Sequence, residues 1–249
     1  MKIDKLKLAE MVARTARKYR TAAIVLAAGN STRMGGKINK QLEPVCDIPV
    51  LAHTLMAYQR CMLIEEIVVV TRPQDFDAVF AIAKQYCITK LHHIVKGGST
   101  RQESAKRGMS KLDPAIRYVA IADGARCLIT PQQIAKVCLR AYRYQAASAA
   151  HQISDTVKRT NAVGMVKETV ERNNLWQAQT PQIFHTSLYT AALMRADSDG
   201  FKVTDDNSLI EHLGYQVRMV ECGRENIKIT TKDDLPMAEA ILTYRGAKK

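Results

Sequence analysis

The chain has 249 residues, 47% of them hydrophobic and 24% charged, which is ordinary for a globular protein and enough to bury a full sheet core in one domain. No apolar run is long enough to cross a bilayer, so a soluble, cytoplasmic protein is expected. Six cysteines stand singly, without a CxxC pair or zinc-finger spacing, which argues against a disulfide scaffold or a structural zinc module.

The formal net charge of +13 points to an anionic partner, but much of it lies before the first strand, in Lys2, Lys5, Lys7, Arg14, Arg17, Lys18 and Arg20. Residues 1–20 therefore read as a basic N-terminal extension. They lack the apolar core of a secretory leader, and Asp4, Glu10 and the absence of serine argue against a transit peptide. Ile3, Leu6, Met11 and Val12 form the narrow apolar stripe of a short appended helix, with membrane-surface or nucleic-acid contact as the alternative use.

From residue 22 apolar runs and helical stretches alternate. Residues 22–27 form a short buried strand that meets a loop at Gly29, and 49–60 read as a helix. A β-branched strand follows over 66–71, a helix over 75–86, a strand over 91–95 stopped by Gly97-Gly98, and a helix over 100–111. A strand over 117–122 runs into Asp123-Gly124, and a helix over 131–144 starts from a Thr130 cap with Pro131 in its first turn. This β-α-β-α order predicts an α/β fold with a mainly parallel twisted sheet and helices on both faces. Ligands then belong at the carboxyl ends of the strands, in the loops after Ala27, Val95 and Ala122. The pattern breaks near Ser154. Strand-like pieces over 155–160 and 165–170 flank Asn161-Ala162-Val163-Gly164, a hairpin that needs something to pack against. Helices near 186–196 and 205–213, a strand over 216–221 and a terminal helix from Lys232 complete the chain.

The first loop reads Leu26-Ala27-Ala28-Gly29-Asn30-Ser31-Thr32-Arg33-Met34-Gly35-Gly36, with Lys40-Gln41 beyond it. Small residues at a strand end let backbone amides approach phosphate oxygens, and Arg33 and Lys40 add fixed positive charge, as nucleotidyl transfer requires. Neither the Walker pattern GxxxxGK[ST] nor GxGxxG is present. Downstream come Gly97-Gly98 with Arg101-Gln102-Glu103-Ser104, then Asp123-Gly124-Ala125-Arg126 and Asp155-Thr156-Val157-Lys158-Arg159. They are followed by Leu175-Trp176-Gln177-Ala178-Gln179-Thr180-Pro181-Gln182, Val203-Thr204-Asp205-Asp206 and Glu225-Asn226-Ile227-Lys228-Ile229-Thr230.

In this order, from about Thr21 to the last helix, the segments resemble the polyol-phosphate cytidylyltransferases. Within that family they resemble the 2-C-methyl-D-erythritol 4-phosphate enzymes of the non-mevalonate isoprenoid pathway. The resemblance implies a single-domain, Rossmann-like cytidylyltransferase domain over 21–249. It also implies a protruding β-hairpin arm at about 152–175 through which a homodimer forms. Arg33 and Lys40 would be catalytic, stabilising the transition state as a polyol phosphate attacks CTP. Ala27, Ala28, Gly29, Gly98, Ser104 and Asp123 would bind the nucleotide, with Asp123 also helping to hold Mg2+. Arg126, Thr156, Arg172, Thr180, Thr204 and Lys228 would bind the polyol phosphate, Arg172 reaching the neighbouring subunit's site. Arg101 reads equally as a structural ion-pair residue, Asp205 and Asp206 as the start of a helix, and the threonines as turn and cap residues. Trp176, the single tryptophan, reads as packing at the base of the arm.

Four positions depart from the family pattern. Asn39 stands where proline is usual before Lys40, Gly124 and Cys127 replace alanine and proline beside Asp123 and Arg126, and His151 replaces a proline before the hairpin. The first three are expected to loosen the site. Cys127, next to Arg126, is expected to have a lowered thiol pKa and to be oxidation-sensitive. The alternatives are a ribitol 5-phosphate cytidylyltransferase, which shares the reaction, and a basic nucleic-acid-binding protein on an α/β scaffold. The second fits poorly with 6% aromatics and no basic-aromatic interleaving.

Overall fold

A strand covered on both faces needs small or branched apolar side chains throughout, and β1 (Thr21–Leu26) has them: Ala22, Ala23, Ile24 and Val25 are fully buried. The computed structural model describes residues 5–29 and 39–247, with backbone alone for 5–9. Ahead of β1 lies α1 (Lys5–Tyr19). After it come the short pair β2 (Pro44–Val45) and β3 (Ile48–Pro49), then α2 (Val50–Arg60), β4 (Ile64–Thr71), α3 (Phe76–Gln85) and β5 (Leu91–Lys96). The chain continues through α4 (Arg101–Met109), β6 (Tyr118–Asp123), α5 (Pro131–Tyr144), β7 (Ala146–Gln152), β8 (Val157–Thr160) and β9 (Val166–Val170). It closes with β10 (Trp176–His185), α6 (Thr186–Asp199), α7 (Asp206–His212), β11 (Arg218–Glu221) and α8 (Asp234–Ala247).

Seven strands form the central sheet in the order β11-β7-β10-β6-β1-β4-β5. β10 is antiparallel to both its neighbours, and the remaining pairings are parallel. The alternation along each strand divides the core into two layers. Ala23 and Val25 of β1, Ile67 and Val69 of β4, and Ala120 and Ala122 of β6 face α2, α3 and α5. Ile24, Val68, Val70, Val119 and Ile121 face α4, α6 and α7. A smaller cluster joins Val45, Val50, Leu128 and Ile229 to α8. The single-domain α/β architecture read from the β-α alternation is therefore present, with helices on both faces.

Two central strands were not legible in the sequence. β7, AASAAHQ, is mostly alanine, a poor strand former. β10 contains Pro181, which a central strand should exclude. The structure accommodates it at a break in the ladder, where the register with β7 shifts between Ala178 and Gln182 and pairing with β6 begins only at Gln182. α5 begins as the sequence predicts, with a Thr130/Gln133 capping box and Pro131 at its first turn.

The N-terminal helix packs through Val12, Ala16 and Tyr19, spaced i, i+4, i+7, so of the stripe expected from the sequence Val12 lies in the packed face. Met11 lies outside that face and is 58% exposed; Ile3 and the Leu6 side chain lie outside the described residues. Tyr19 stacks on Tyr142 at 4.2 Å between centroids and meets Tyr118 edge-on at 5.9 Å, which pins the helix end to α5 and β6. Among the described residues no helix is long and apolar enough to cross a membrane.

Candidate active site

The sheet delivers its chemistry where β1 and β6 end side by side. Leu26 pairs with Asp123 in register, and the next strands lie on opposite sides of this pair, β4 beyond β1 and β10 beyond β6. This is the switch point at which open α/β sheets bind ligands. Backbone bonds stack the strand exits: Ala27 N to Val70 O at 2.7 Å, Gly97 N to Thr71 O at 2.8 Å and Gly124 N to Leu26 O at 2.9 Å. A Cβ on Gly97 would lie 2.3 Å from that of Ala28, so only glycine lets these two loops touch. The result is an open cavity of about 470 Å³, lined by Ala28, Gly29, Lys40, Gly98, Ser104, Asp123 and Lys228 among others.

Its floor is a buried chain of charges. Asp123 Oδ1 accepts from Arg101 Nη1 at 2.7 Å, while Oδ2 lies 3.0 Å from Lys228 Nζ and 3.4 Å from Arg126 Nε. Behind Arg101, Asp206 Oδ2 accepts from its Nε at 2.9 Å and lies 2.7 Å from its Nη2, and Asp206 Oδ1 accepts from the Tyr189 hydroxyl at 2.5 Å. Burial pushes the Asp123 carboxyl up, but the cations of Arg101, Lys228 and Arg126 outweigh it and hold the group well below the usual carboxylate range. For Arg101, burial works against the charge, and Asp206 and Asp123 reverse this and raise its pKa. For Arg126, burial wins and lowers it.

Of the residues expected at the site, Ala28, Gly29, Lys40, Gly98, Ser104, Asp123 and Lys228 line the cavity together. Ser104 is buried and its hydroxyl accepts from Gly98 N at 2.9 Å, fixing the turn that opens α4. Ala27 is buried beneath the cavity, and its carbonyl accepts from Asn39 Nδ2 at 3.3 Å. Arg126 sits just behind the lining, donating from Nη1 to Asn226 O at 2.7 Å. Thr180 is buried, and its hydroxyl accepts from Asp123 N at 2.9 Å, so it shapes the end of β6 from within. Thr204 is exposed just ahead of α7, and Thr156 and Arg172 are exposed on the arm, where Arg172 donates to the Ser154 carbonyl. None of these three lines the cavity. Arg33 lies outside the described residues.

Three expectations are corrected. Asn39 does not loosen the lysine segment: it is 2% exposed and held on three sides by Ala27 O, Asp75 Oδ2 and Gln41 N. Gly124 does not loosen the end of β6, where its N donates to Leu26 O at 2.9 Å and its O accepts from Thr54 Oγ1 at 2.9 Å. Cys127 is not a reactive thiol. It is 3% exposed in the cluster under α8, and burial pushes its pKa up to about 12. The sequence placed Arg126 beside it in order, but the Arg126 guanidinium turns to Asp123 and Asn226.

Asp206 is the residue that sequence reasoning undervalued. Asp205 does cap α7, accepting from Ser208 N at 3.1 Å, but the adjacent Asp206 is fully buried and holds Arg101. A doubled aspartate at a helix start, where one suffices as cap, was the available signal. Gln41 and Thr230 also line the cavity, and their only sequence signal is adjacency to Lys40 and to the Lys228 segment.

An α/β sheet with three cations gathered about one carboxylate at its switch point, beneath small-residue loops, suits the charge stabilisation that a nucleotidyltransferase needs. The family is set by comparison: the model of 2-C-methyl-D-erythritol 4-phosphate cytidylyltransferase matches residues 21–244. The chain belongs to this family. A relative of that name from Synechococcus sp. (strain WH7803) is 41% identical over 228 residues, covering 89% of this chain and 99% of the relative. Another, from Caldanaerobacter subterraneus subsp. tengcongensis, is 38% identical over 222 residues, covering 89% and 98%. Among solved structures, the 4-diphosphocytidyl-2C-methyl-D-erythritol synthase of Anaerococcus prevotii superposes with a TM-score of 0.80 at 31% identity, covering 90% of this chain and 96% of its own.

Proposed function

We propose that the protein transfers CMP from CTP to 2-C-methyl-D-erythritol 4-phosphate, releasing pyrophosphate and giving 4-diphosphocytidyl-2-C-methylerythritol for isoprenoid synthesis in the cytoplasm. The observation that carries this reading is the charge cluster of Arg101, Arg126 and Lys228 around Asp123, in a cavity that Lys40 also lines. A phosphate oxygen of the acceptor attacks the α-phosphorus of CTP. That O–P bond forms as the bond from the α-phosphorus to the α,β-bridging oxygen breaks, and pyrophosphate leaves with the electron pair. The acceptor phosphate is largely ionised at neutral pH, so no protein base or nucleophile is needed, and positioning and charge stabilisation carry the catalysis. Lys40 and Arg33 stabilise the charge that accumulates on the non-bridging oxygens, and Lys228 and Arg126 receive the acceptor phosphate.

The donor set fits a magnesium ion attached at one point. Among the described residues no cluster of carboxylates, histidines or cysteines could hold a metal alone. Asp123 Oδ1, engaged by one arginine bond, retains lone-pair capacity. Mg2+ commonly binds through one carboxylate, the substrate phosphates and water. Bound in this way it would neutralise triphosphate charge.

The arm supports a homodimer. β8 and β9 form a two-stranded sheet separate from the central one, and Val163, Met165 and Val166 are 81%, 67% and 60% exposed on it. Such a ribbon is marginal alone, so a second copy of the chain is its partner, and Thr156 and Arg172 then serve the neighbouring site. Mixing Arg172→Ala with Lys40→Ala subunits should raise activity well above the residual level of either variant alone. A strict monomer by light scattering would remove that role.

Pyrophosphate release tests the reaction, with each NTP in turn and with methylerythritol phosphate and ribitol 5-phosphate as rival acceptors, with and without EDTA. Release confined to CTP with methylerythritol phosphate and abolished by EDTA is expected. Preference for ribitol phosphate would refute the substrate, and full activity in EDTA would refute the metal.

A further inference from the structure

We propose that Asn39 is a positioning residue for Lys40: its side-chain amide locks the chain entering the lysine to the end of β1 and to a buried Arg72–Asp75 ion pair. The inference rests on the catalytic role given to Lys40 above. The Asn39 amide uses both of its donor directions, one to Ala27 O at 3.3 Å and one to Asp75 Oδ2 at 2.9 Å. Its oxygen accepts from Gln41 N at 3.2 Å, bridging over Lys40. Asp75 is itself immobilised, 5% exposed and gripped by Arg72 through Nε at 2.7 Å and Nη2 at 3.1 Å. Ala27 O lies also 3.5 Å from Thr71 Oγ1, so the amide is tied to the exits of β1 and β4 together.

On the far side of the lysine, Gln41 O accepts from Leu51 N at 2.8 Å, and Leu42 N donates to Asn39 O at 2.8 Å. Lys40 is therefore held between two anchored neighbours. Its backbone is fixed relative to Ala28 and Gly29, which line the same cavity. Asn39 is buried beneath this arrangement, does not line the cavity, and acts through its neighbour. A group whose worth depends on placement to a fraction of an ångström gains from such support.

The test is a double-mutant cycle on steady-state pyrophosphate release, with wild type, Asn39→Ala, Lys40→Ala and the double variant, each assayed well below its melting temperature. Removing the lock should lower kcat by roughly 10²-fold, the scale of an ångström-sized misplacement. The KM for CTP should stay within about twofold, because ground-state binding is spread over the other cavity residues. In the Lys40→Ala background, Asn39→Ala should cost nothing further, since the group it positions is gone. If Asn39→Ala does not fold, Asn39→Ser replaces it, retaining a hydroxyl for the Gln41 amide but too short to span to Asp75. Equal losses in both backgrounds, or a loss seen in KM alone, would overturn the positioning role while leaving the reaction intact. A wild-type protein inert with CTP and methylerythritol phosphate, or a fully active Lys40→Ala protein, would instead remove the reading on which it rests, and the inference with it.

Discussion

Replacing Asp206 by asparagine removes one charge from the most enclosed point of the network and leaves volume unchanged. Asp206 is 0% exposed and faces an arginine that is 27% exposed, so water cannot replace what is lost on the aspartate side. The Arg101 Nε donates to Oδ2, with Nη2 at 2.7 Å completing the ion pair, and the Tyr189 hydroxyl donates to Oδ1. Breaking a buried pair by removing one partner costs about 3–5 kcal/mol. Arg101 keeps Asp123 as a counter-charge, and an asparagine oxygen can still accept, so the lower end, about 3 kcal/mol, is expected. For a chain of this size each kcal/mol moves Tm by about 2–4 °C, giving a fall of about 6–12 °C in calorimetry. The damage should also reach the site, because Arg101 is the link between Asp206 and Asp123, and kcat/KM should fall although Asp206 does not line the cavity. A Tm within 2 °C of wild type, roughly the effect of half to one kcal/mol, together with unchanged kcat/KM would refute the argument that this chain of charges holds the floor of the cavity.

Other consequences follow from the same geometry. Asp123 has a folded-state pKa well below its unfolded value of about 3.9, so its pairing contributes stability that is complete above the unfolded value and lost progressively as pH falls from there through the folded value. The Tm gap between wild type and Asp123→Asn should therefore be flat from about pH 5 to 8 and begin to narrow below about pH 4; a gap that persists unchanged at pH 3 would contradict this. Cys127, buried with a raised pKa, should resist maleimide labelling in the folded protein while exposed Cys46 and Cys87 react. Equal labelling of all three by peptide mass mapping would contradict the burial. Truncating Tyr19 to alanine should remove the stacked contact that pins α1 to Tyr142, worth about 1 kcal/mol beyond area, and raise protease sensitivity near residue 20. Unchanged cleavage there would show that the helix is held by other contacts.

The parallel half of the sheet was legible because β1, β4 and β6 each contain a run of small or branched apolar residues, followed within a few residues by a glycine or proline stop. β7 and β10 were hidden: one is alanine-rich, and the other carries a proline that only the tertiary ladder break accommodates. At the site, the residue types beyond the exits of β1 and β6 pointed to Lys40 and Asp123, since strand exits are where a sheet of this kind receives a ligand, whereas Lys228 was singled out only by the family resemblance. The sequence could not show which partner each charge takes. Cys127 and Arg126 are neighbours in the chain and point apart, whereas Arg101 and Asp206, far apart in sequence, share a buried bond. Asn39 failed for the same reason: its anchoring role exists only because β4 brings Asp75 beneath it.

The central claim is that an acceptor phosphate oxygen attacks the α-phosphorus of CTP. It is tested most directly by running the reaction with methylerythritol phosphate carrying oxygen-18 in its phosphate and reading both products by mass spectrometry and phosphorus NMR. All label should stay in 4-diphosphocytidyl-2-C-methylerythritol, with one labelled oxygen in the new bridge and none in pyrophosphate. Release of CMP in place of pyrophosphate, or label appearing in pyrophosphate, would place the attack at another phosphorus and contradict it.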